Sequence, residues 1–264
     1  MKIFEDHITS TRRRRPVITE ETIHKLVSMK LHTMAKAFRE VLETSPAHEL
    51  SFAEKIGMLV DREWTDRDNR RLDRRIREAK IPIHAALEDV ASDASRGLDK
   101  ATLRQLATCA WVRAKQNVIV VGATGVGKTF IGSALAQAAC RQGFRAMCLR
   151  VPRLVQDLAI ARGDGTYRSE LQRLARFDVL VLDDFLIGPM KDIERRDLLE
   201  VLEDRYDRSS TVITSQLPTK SWHETLADPT IADAICDRLV HNAHLVALRG
   251  PSMRKKKGIT SETT

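Results

Sequence analysis

Hydrophobic residues recur at helical spacing over the first third of the chain. Behind a cap region at residues 19–22, the apolar positions follow a period of about 3.6 residues: Ile23, Leu26, Val27, Leu31, Met34, Phe38 and Leu42. A longer helical pattern covers residues 50–80. On a helix it places five apolar side chains on one side: Met58, Trp64, Leu72, Ile76 and Ala79. We therefore expect this part of the chain to be entirely helical.

Beyond residue 98, short apolar runs alternate with helical patterns. A predicted helix over residues 100–115 precedes five predicted strands, over residues 118–121, 145–150, 178–182, 211–215 and 244–248. Further helices are predicted over residues 128–141, 152–162, 192–207 and 230–240. This alternation indicates an α/β fold, a parallel sheet covered by helices on both faces. The expected organisation is a flexible basic arm (1–15), a helical N-terminal domain (16–97) and an α/β domain (98–264).

Charge and cysteine content narrow the class of protein. The 264 residues include 44 Lys+Arg and 36 Asp+Glu, a net charge of +8. This excess favours a polyanionic partner, nucleic acid before membrane, although a soluble surface that is merely basic is an open alternative. The four cysteines form no C-x-x-C pair, and no apolar run approaches the roughly 18 residues of a membrane span. We expect a cytoplasmic protein with no membrane partner.

The second helical pattern has one strongly basic side. Opposite its apolar residues lie four arginines, with Glu63 and Glu78 among them: Arg67, Arg70, Arg74 and Arg77. Two interpretations stay open. The side contacts nucleic-acid phosphates, or it is a solvated face on which pairs such as Glu63–Arg67 and Asp66–Arg70 form.

A glycine-rich segment follows the first predicted strand. Residues 122–129, GATGVGKT, fit the pattern G-x-x-x-x-G-K-[ST] and precede a good helix, FIGSALAQAAC. In such a loop, backbone amides and the helix N-terminus face the phosphates of a nucleoside triphosphate. Lys128 is expected to reach the β- and γ-phosphates, and the Thr129 hydroxyl to bind Mg²⁺. The expected ATP-binding residues of the loop are Gly122, Ala123, Thr124, Gly125, Val126, Gly127, Lys128, Thr129 and Phe130.

Two carboxylates follow the strand in FDVLVLDDF. Asp183 stands where a carboxylate would hold Mg²⁺ through water, and Asp184 stands where a base would orient the attacking water. An acidic turn after a strand is the alternative interpretation. With the glycine-rich loop upstream, the pair predicts a Mg²⁺–ATP site.

Four stretches of the chain carry a family resemblance: VGATGVGKTF, LVLDDF, TVITSQLPTKSWHE and DPTIADAICDRLVHNAH…LRGPSMRK. They resemble the IstB family, the helper ATPases of insertion-sequence transposition, which are relatives of the DnaC-type helicase loaders among the AAA+ proteins. The segment LSFAEKIGMLVDREWTDRDNRRLDRRIREAK resembles the family's N-terminal region. The resemblance implies a P-loop AAA+ sheet, with ATP bound between the subunits of a homo-oligomer.

The resemblance also implies roles for residues outside the P-loop. Thr214 or Gln216 occupies the sensor-1 place near the γ-phosphate. Arg238, in CDRL, occupies the arginine-finger place and would act on a neighbouring subunit's nucleotide. Arg254, in PSMRK, occupies the sensor-2 place. Permanent charge and bidentate donors suit arginine to both tasks, although a surface position is the alternative for each.

Two departures from the usual AAA+ pattern affect the expected mechanism. Asp184 replaces the usual glutamate base and is one methylene shorter. Either the attacking water is reached differently or hydrolysis is slow, and a timed switch is expected more than a motor. The chain also ends about ten residues after Arg254, so no C-terminal lid is expected, a feature that the IstB and DnaC-type relatives share.

The leading hypothesis is an ATPase that binds duplex DNA without sequence preference and recruits or stimulates the transposase of its own element. Its hydrolysis would depend on Mg²⁺ and be stimulated by DNA. A replicative helicase loader has the same ATPase core and differs in its partner. A P-loop small-molecule kinase, from a different class, needs a substrate pocket and usually a lid of its own.

Overall fold

A computed structural model describes residues 17–43, 50–90 and 94–253 of the chain. The predicted basic arm at residues 1–15 and the sensor-2 candidate Arg254 lie outside the described residues. The chain divides into two compact units between Arg71 and Leu72. This division lies upstream of residue 97, where the sequence places the start of the ATPase domain; that functional boundary stays a prediction.

The first unit contains two short helices and the start of a long one. They are α1 (Val17–Ser28), α2 (His32–Glu43) and α3 (Phe52–Ala79), of which α3 continues into the second unit. The chain turns between α1 and α2 because Lys30 takes a left-handed conformation with φ 60°. Ile23, Leu26 and Ala35 form the small core, while Val27 and Leu42 of the predicted apolar series are exposed.

The predicted orientation of α3 is wrong for its first half. Trp64 and Met58, expected on the packed side, are 69% and 39% exposed, whereas Glu63 of the predicted polar side is 5% exposed. The reason is a polar contact that a hydrophobic pattern does not predict: Glu63 Oε2 accepts a 2.9 Å hydrogen bond from the Met34 N–H in the first turn of α2. Burial alone would raise the pKa of Glu63, but this bond and the Arg67 ion pair lower it overall.

The second unit is built on a parallel sheet of five strands, as the sequence predicts. The strands are β1 (Asn117–Gly122), β2 (Ala146–Arg150), β3 (Val179–Phe185), β4 (Ser210–Ser215) and β5 (Ala243–Leu248). Their spatial order is β2-β3-β4-β1-β5, which places β1 in the interior between β4 and β5. The carboxyl ends of β1, β3 and β4 therefore meet at one edge, where ligands of open α/β sheets bind.

Helices cover both faces of this sheet. They are α4 (Lys100–Ala107), α5 (Ala110–Arg113), α6 (Lys128–Arg141), α7 (Val151–Asp164), α8 (Tyr167–Ala175), α9 (Asp192–Arg205), α10 (Trp222–Leu226) and α11 (Pro229–Val240). Short 3₁₀ helices cover Leu87–Asp89, Ala94–Arg96 and Thr219–Ser221. Alternate strand residues point into two cores: Val118 and Val120 into one, Ile119 and Val121 into the other. The second half of α3 contributes Ala79, Leu72 and Ile76 to the first core, as predicted.

Two helical predictions need correction. The single helix expected over residues 100–115 is two helices, because Cys109 adopts φ 52° and breaks the ladder between α4 and α5. Helix α8 was not predicted, although its Leu171 and Leu174 are buried. Among the described residues, no helix has the length and apolar character that a bilayer crossing requires.

Candidate nucleotide-binding site

The glycine-rich loop joins β1 to α6 at the carboxyl edge of the sheet. Gly127 caps α6 with φ 103°, a left-handed conformation that favours glycine, and Lys128 is the first helical residue. The 14-residue helix α6 directs the N–H groups of its first turn and its positive dipole end towards the loop. This strand–loop–helix unit is the context that an anion-binding P-loop requires.

Lys128 lies close over the loop. It is 9% exposed, and its Nζ donates to the Ala123 carbonyl at 2.9 Å. The ammonium is therefore held at the loop, next to the expected phosphate position.

Thr129, Asp183 and Thr214 form a polar network beneath the loop. The Thr129 hydroxyl donates to the Asp183 carboxylate at 3.0 Å from Oδ2 and 3.1 Å from Oδ1. The Thr214 hydroxyl also donates to Asp183 and accepts the Asp184 N–H at 3.4 Å. Asp183 is only 8% exposed, so these bonds fix the orientation of its carboxylate. The structure thus brings the two predicted Mg²⁺ ligands together.

Asp184 lies at a break in the pairing of β3 with β4. The register shifts between Leu182 and Phe185, and Asp184 takes the left-handed region with φ 58°. This conformation costs free energy for a residue other than glycine and occurs often at functional sites. Asp184 therefore occupies a local bulge directly after Asp183.

Asp184 is paired with Arg150, a residue that the sequence reading did not identify. Arg150 ends β2 and lies opposite Asp183 in the register of the parallel pair. Its Nε is 2.8 Å and its Nη2 2.6 Å from Asp184 Oδ2. An arginine at the carboxyl end of a strand next to β3 was a signal available from the sequence, since parallel strands end at the same edge.

The two sensor-1 candidates make different contacts. Thr214 is fully buried, and its hydroxyl donates its single hydrogen bond to Asp183. Gln216 is exposed, and its Oε1 accepts the Thr124 hydroxyl of the P-loop at 2.8 Å. Gln216 thus lies at the mouth of the loop, while Thr214 supports the carboxylate below it.

Arg238 lies in the last turn of α11, away from the P-loop contacts described above. Its guanidinium pairs with Glu203, its Nη1 donates to the Ala234 carbonyl at 2.9 Å, and the group lies 5.9 Å from the Tyr206 ring centroid. Its Nε is buried without a hydrogen-bond partner among the described residues. An open cavity of about 710 Å³ borders this arginine, Asp237 and Lys220.

The four arginines predicted to contact DNA differ in their surroundings. Arg67 binds Glu63 at 2.7 Å and the Lys30 carbonyl at 3.1 Å, and Arg70 pairs with Asp66. These are the two ion pairs that the solvated-face interpretation expects. Arg74 and Arg77 are exposed, and Arg77 Nε donates to the Asp73 carbonyl at 3.4 Å.

Comparison with known proteins identifies the family. The IstB-like ATP binding protein family matches residues 24–261. The chain belongs to this family. A protein of Sinorhizobium fredii named as an insertion sequence ATP-binding protein is 45% identical over 241 residues, covering 91% of this chain and 98% of the relative. A Pseudomonas aeruginosa relative, named as an ATP-binding protein of insertion sequence IS21, is 30% identical over 243 residues and covers 90% and 92% of the two chains.

Solved structures show the fold of this IstB-like protein. The DnaI crystal structure superimposes with a TM-score of 0.54 at 21% identity, covering 63% of this chain and 92% of DnaI. The structure of DnaA bound to AMPPCP and single-stranded DNA superimposes with a TM-score of 0.53 at 16% identity, covering 65% of this chain and 53% of DnaA. The second unit is therefore a P-loop AAA+ fold. The family and fold predictions are confirmed, and ATP is the ligand that the family name gives.

Proposed function

We propose that this IstB-like protein is an ATPase that binds duplex DNA as a nucleotide-dependent oligomer and recruits or stimulates the transposase of its element. One observation carries the ATPase assignment: Lys128 and Thr129 of the P-loop lie at the same sheet edge as two successive carboxylates, Asp183 and Asp184. The relatives named for insertion sequences support the link to transposition.

The P-loop would bind and orient ATP. Lys128 would exchange its bond with the Ala123 carbonyl for the β- and γ-phosphates, because a phosphate oxygen carries more negative charge than a carbonyl. The N-terminal amides of α6 face the same region and supply donors without charge of their own. Together they hold the γ-phosphate at the carboxyl edge of β3.

Mg²⁺ fits the oxygen donors beside Lys128. The Thr129 hydroxyl and the Asp183 carboxylate, whose oxygens lie 3.0–3.1 Å apart, are hard ligands of the kind that Mg²⁺ accepts, usually together with several waters. When bound, the ion would neutralise charge on the phosphate oxygens. Thr129 would bind it directly and Asp183 through water, while Thr214 keeps the Asp183 carboxylate oriented.

Asp184 would accept the proton of the attacking water. Its carboxylate is about one-fifth exposed, so water reaches it, but it is a methylene shorter than glutamate and is engaged by Arg150. Both features support slow turnover, as expected of a timed switch. Of the two sensor-1 candidates, Gln216 is the better placed to contact the γ-phosphate or its water, because the Thr214 hydroxyl is already engaged as a hydrogen-bond donor to Asp183.

Arg238 would complete the site of a neighbouring subunit. Its permanent charge and planar donors suit the γ-phosphate of ATP held between subunits, and Arg254 would contact phosphate as sensor 2. The cavity beside Arg238 leaves space for a neighbour to approach. To act there, the guanidinium must exchange Glu203 for phosphate oxygens.

DNA is the proposed polyanionic partner. The net charge of +8 supports phosphate contacts that carry no sequence preference. Arg74 and Arg77 are the stronger candidates among the four arginines, since Arg67 and Arg70 already pair with carboxylates.

DNA-dependent ATP turnover tests the proposal. Phosphate release is measured with and without duplex DNA for the wild type, Asp184→Asn and a control, Asp61→Asn, which changes an exposed acid on α3. We expect DNA to raise wild-type turnover, and Asp184→Asn to retain ATP binding while losing about 10²–10⁴-fold in rate, because an amide cannot accept the proton. Wild-type turnover in Asp184→Asn would assign the base to another group, and failure of the wild type to bind ATP would end the proposal.

Two rival functions give different results. A small-molecule kinase would need a phosphate acceptor and would not respond to DNA. A replicative helicase loader would respond to DNA but bind a helicase in place of a transposase. Copurification with the transposase encoded directly upstream, where the gene has such a neighbour, separates the transposition helper from the helicase loader.

A further inference from the structure

Two carbonyls of the P-loop bind donors from distant parts of the chain. The Gly125 carbonyl accepts the Met253 backbone N–H at 2.9 Å, and the Val126 carbonyl accepts Arg96 Nη2 at 2.9 Å. The donors are far apart in the sequence: Arg96 precedes α4, and Met253 follows β5. The loop is therefore braced by segments outside the strand–loop–helix motif.

The two donor segments also contact each other. The Arg249 N–H donates to the Arg96 carbonyl at 2.8 Å, and the Arg96 side chain passes about 4 Å from where a Gly250 Cβ would lie. Ser252 packs directly on the loop: a Cβ added to Gly125, whose φ is 85°, would lie 2.2 Å from Ser252 Oγ. We name Arg96, Ser252 and Met253 the P-loop clasp.

The clasp acts on the peptide groups that bind phosphate. The Val126 carbonyl shares its peptide unit with the Gly127 N–H, one of the amides expected to face the phosphates. A guanidinium on the oxygen of a peptide polarises that unit and strengthens the N–H as a donor on its other side. Fixing the carbonyl also restricts two left-handed glycines, Gly125 and Gly127, which would otherwise sample many conformations.

We propose that Arg96 is a positioning residue for ATP. With the Met253 N–H, it holds the P-loop in the conformation that binds the phosphates. The proposal deepens the proposed function and rests on it. Because Met253 directly precedes Arg254 in sequence, the same clasp fixes the chain next to the sensor-2 candidate.

Nucleotide titration of the full-length chain tests this role. Binding of ATP, ADP and adenosine is measured for the wild type, Arg96→Gln, Arg96→Lys and the control Arg104→Gln, which changes an exposed arginine of α4. We expect Arg96→Gln to weaken ATP and ADP about 10-fold, as loss of a charge-assisted bond would. Adenosine binding should not change, Arg96→Lys should restore part of the loss, and Arg104→Gln should behave as wild type.

Kinetics and stability separate positioning from a general structural role. Loss of ground-state binding raises KM for ATP while kcat changes little. The melting temperature without nucleotide should stay near that of the wild type, while the increase produced by ATP should shrink. Unchanged ATP affinity in Arg96→Gln would overturn the inference, as would equal losses for adenosine and ATP.

A backbone variant gives a second test that does not involve Arg96. Met253→Pro removes the N–H that binds Gly125, whereas Met253→Ala keeps it. We expect weaker ATP binding for the proline variant only, and a less than additive loss when it is combined with Arg96→Gln. Equal affinities of the two Met253 variants would refute the clasp. Failure of the wild type to bind ATP would instead refute the proposed function.

Discussion

Asp183 accepts hydrogen bonds from two hydroxyls that lie far from it in the sequence. Thr129 is 54 positions upstream and Thr214 is 31 positions downstream. Both hydroxyls donate to the same carboxylate, and Asp183 is mostly buried. Buried polar networks that are fully satisfied are rigid. The side chains proposed to bind Mg²⁺ are thus held in place without nucleotide, and Lys128 is the cation proposed to bind the phosphates.

Lys128→Ala is expected to abolish ATP binding. It removes the ammonium that the loop offers the β- and γ-phosphates and leaves the backbone of the loop intact. Titration with labelled ATP measures the effect, with Lys100→Ala on the exposed first turn of α4 as control. Retained affinity in Lys128→Ala would contradict the assignment of the P-loop.

Arg150→Gln is expected to raise ATP turnover without DNA by up to about 5-fold. Arg150 holds Asp184 Oδ2 through two nitrogens, and a carboxylate engaged in this way is less available to water. The limit follows from the 0–1 kcal/mol that exposed ion pairs typically contribute. Arg153→Gln, which breaks an exposed pair with Asp157 on α7, is the matched control. A fall in turnover would show that Arg150 holds Asp184 in its working position.

At the residue scale, sequence reasoning succeeded where a motif fixes local geometry. The P-loop and the strand before Asp183 assigned Thr129 and Asp183 to one predicted metal site, and in the structure the two side chains are hydrogen-bonded. Their binding of Mg²⁺ stays a prediction. Arg96 escaped notice because its contact with the Val126 carbonyl joins residues 30 positions apart, which no local spacing records. Arg150 ends a predicted strand, but using that signal required the pairing of β2 with β3, which the sequence reading did not predict. The roles of Arg238, Gln216 and Asp184 stay predictions.

At the scale of elements, α3 combines two environments along one helix. Its first half packs a carboxylate, Glu63, against α2, and its second half buries Ala79 in the core of the second unit. The sequence pattern predicts one continuous apolar side along the helix, and this side is the packed one only in the second half. The breaks at Lys30 and Cys109 were missed for a related reason: both are left-handed turns without glycine, and local composition does not mark them.

The arginines of α3 provide a test at this scale. Replacing Arg74 and Arg77 by Gln should reduce the slope of log affinity for duplex DNA against log salt by about 1.8 if both contact phosphates, at about 0.9 per contact. Replacing Arg67 and Arg70 should change the slope less, because both already pair with carboxylates. Equal slopes in the wild type and the Arg74/Arg77 variant would leave these residues as a solvated face.

At the scale of the whole molecule, the proposed mechanism needs more than one subunit. The second unit places Lys128 and Asp183 around one nucleotide site, whereas Arg238 lies on α11 and pairs with Glu203. The Nε of Arg238 is buried and has no hydrogen-bond partner in the part of the chain that the structure describes, a cost that a structural ion pair alone leaves unexplained. A second copy that presents phosphate oxygens would supply an anion for this guanidinium.

Arg238→Ala tests the arrangement between subunits. The variant should bind ATP through its own Lys128 and Thr129 but lose about 10³–10⁵-fold in hydrolysis, the usual contribution of an arginine finger. Glu203→Gln is the companion variant. It removes the carboxylate that pairs with Arg238 and keeps the charge of the arginine, so it should retain hydrolysis.

Mixing two inactive variants then distinguishes action between subunits from action within one. In an equal mixture of Arg238→Ala and Lys128→Ala chains, roughly a quarter of head-to-tail interfaces join an intact P-loop to an intact Arg238 from the next subunit. Hydrolysis should recover at those interfaces, measured as phosphate release against each variant alone. Two defects that act within separate subunits cannot complement each other. If mixed oligomers form, as shown by copurification of differently tagged chains, and activity does not return, Arg238 acts within its own subunit or supports the fold.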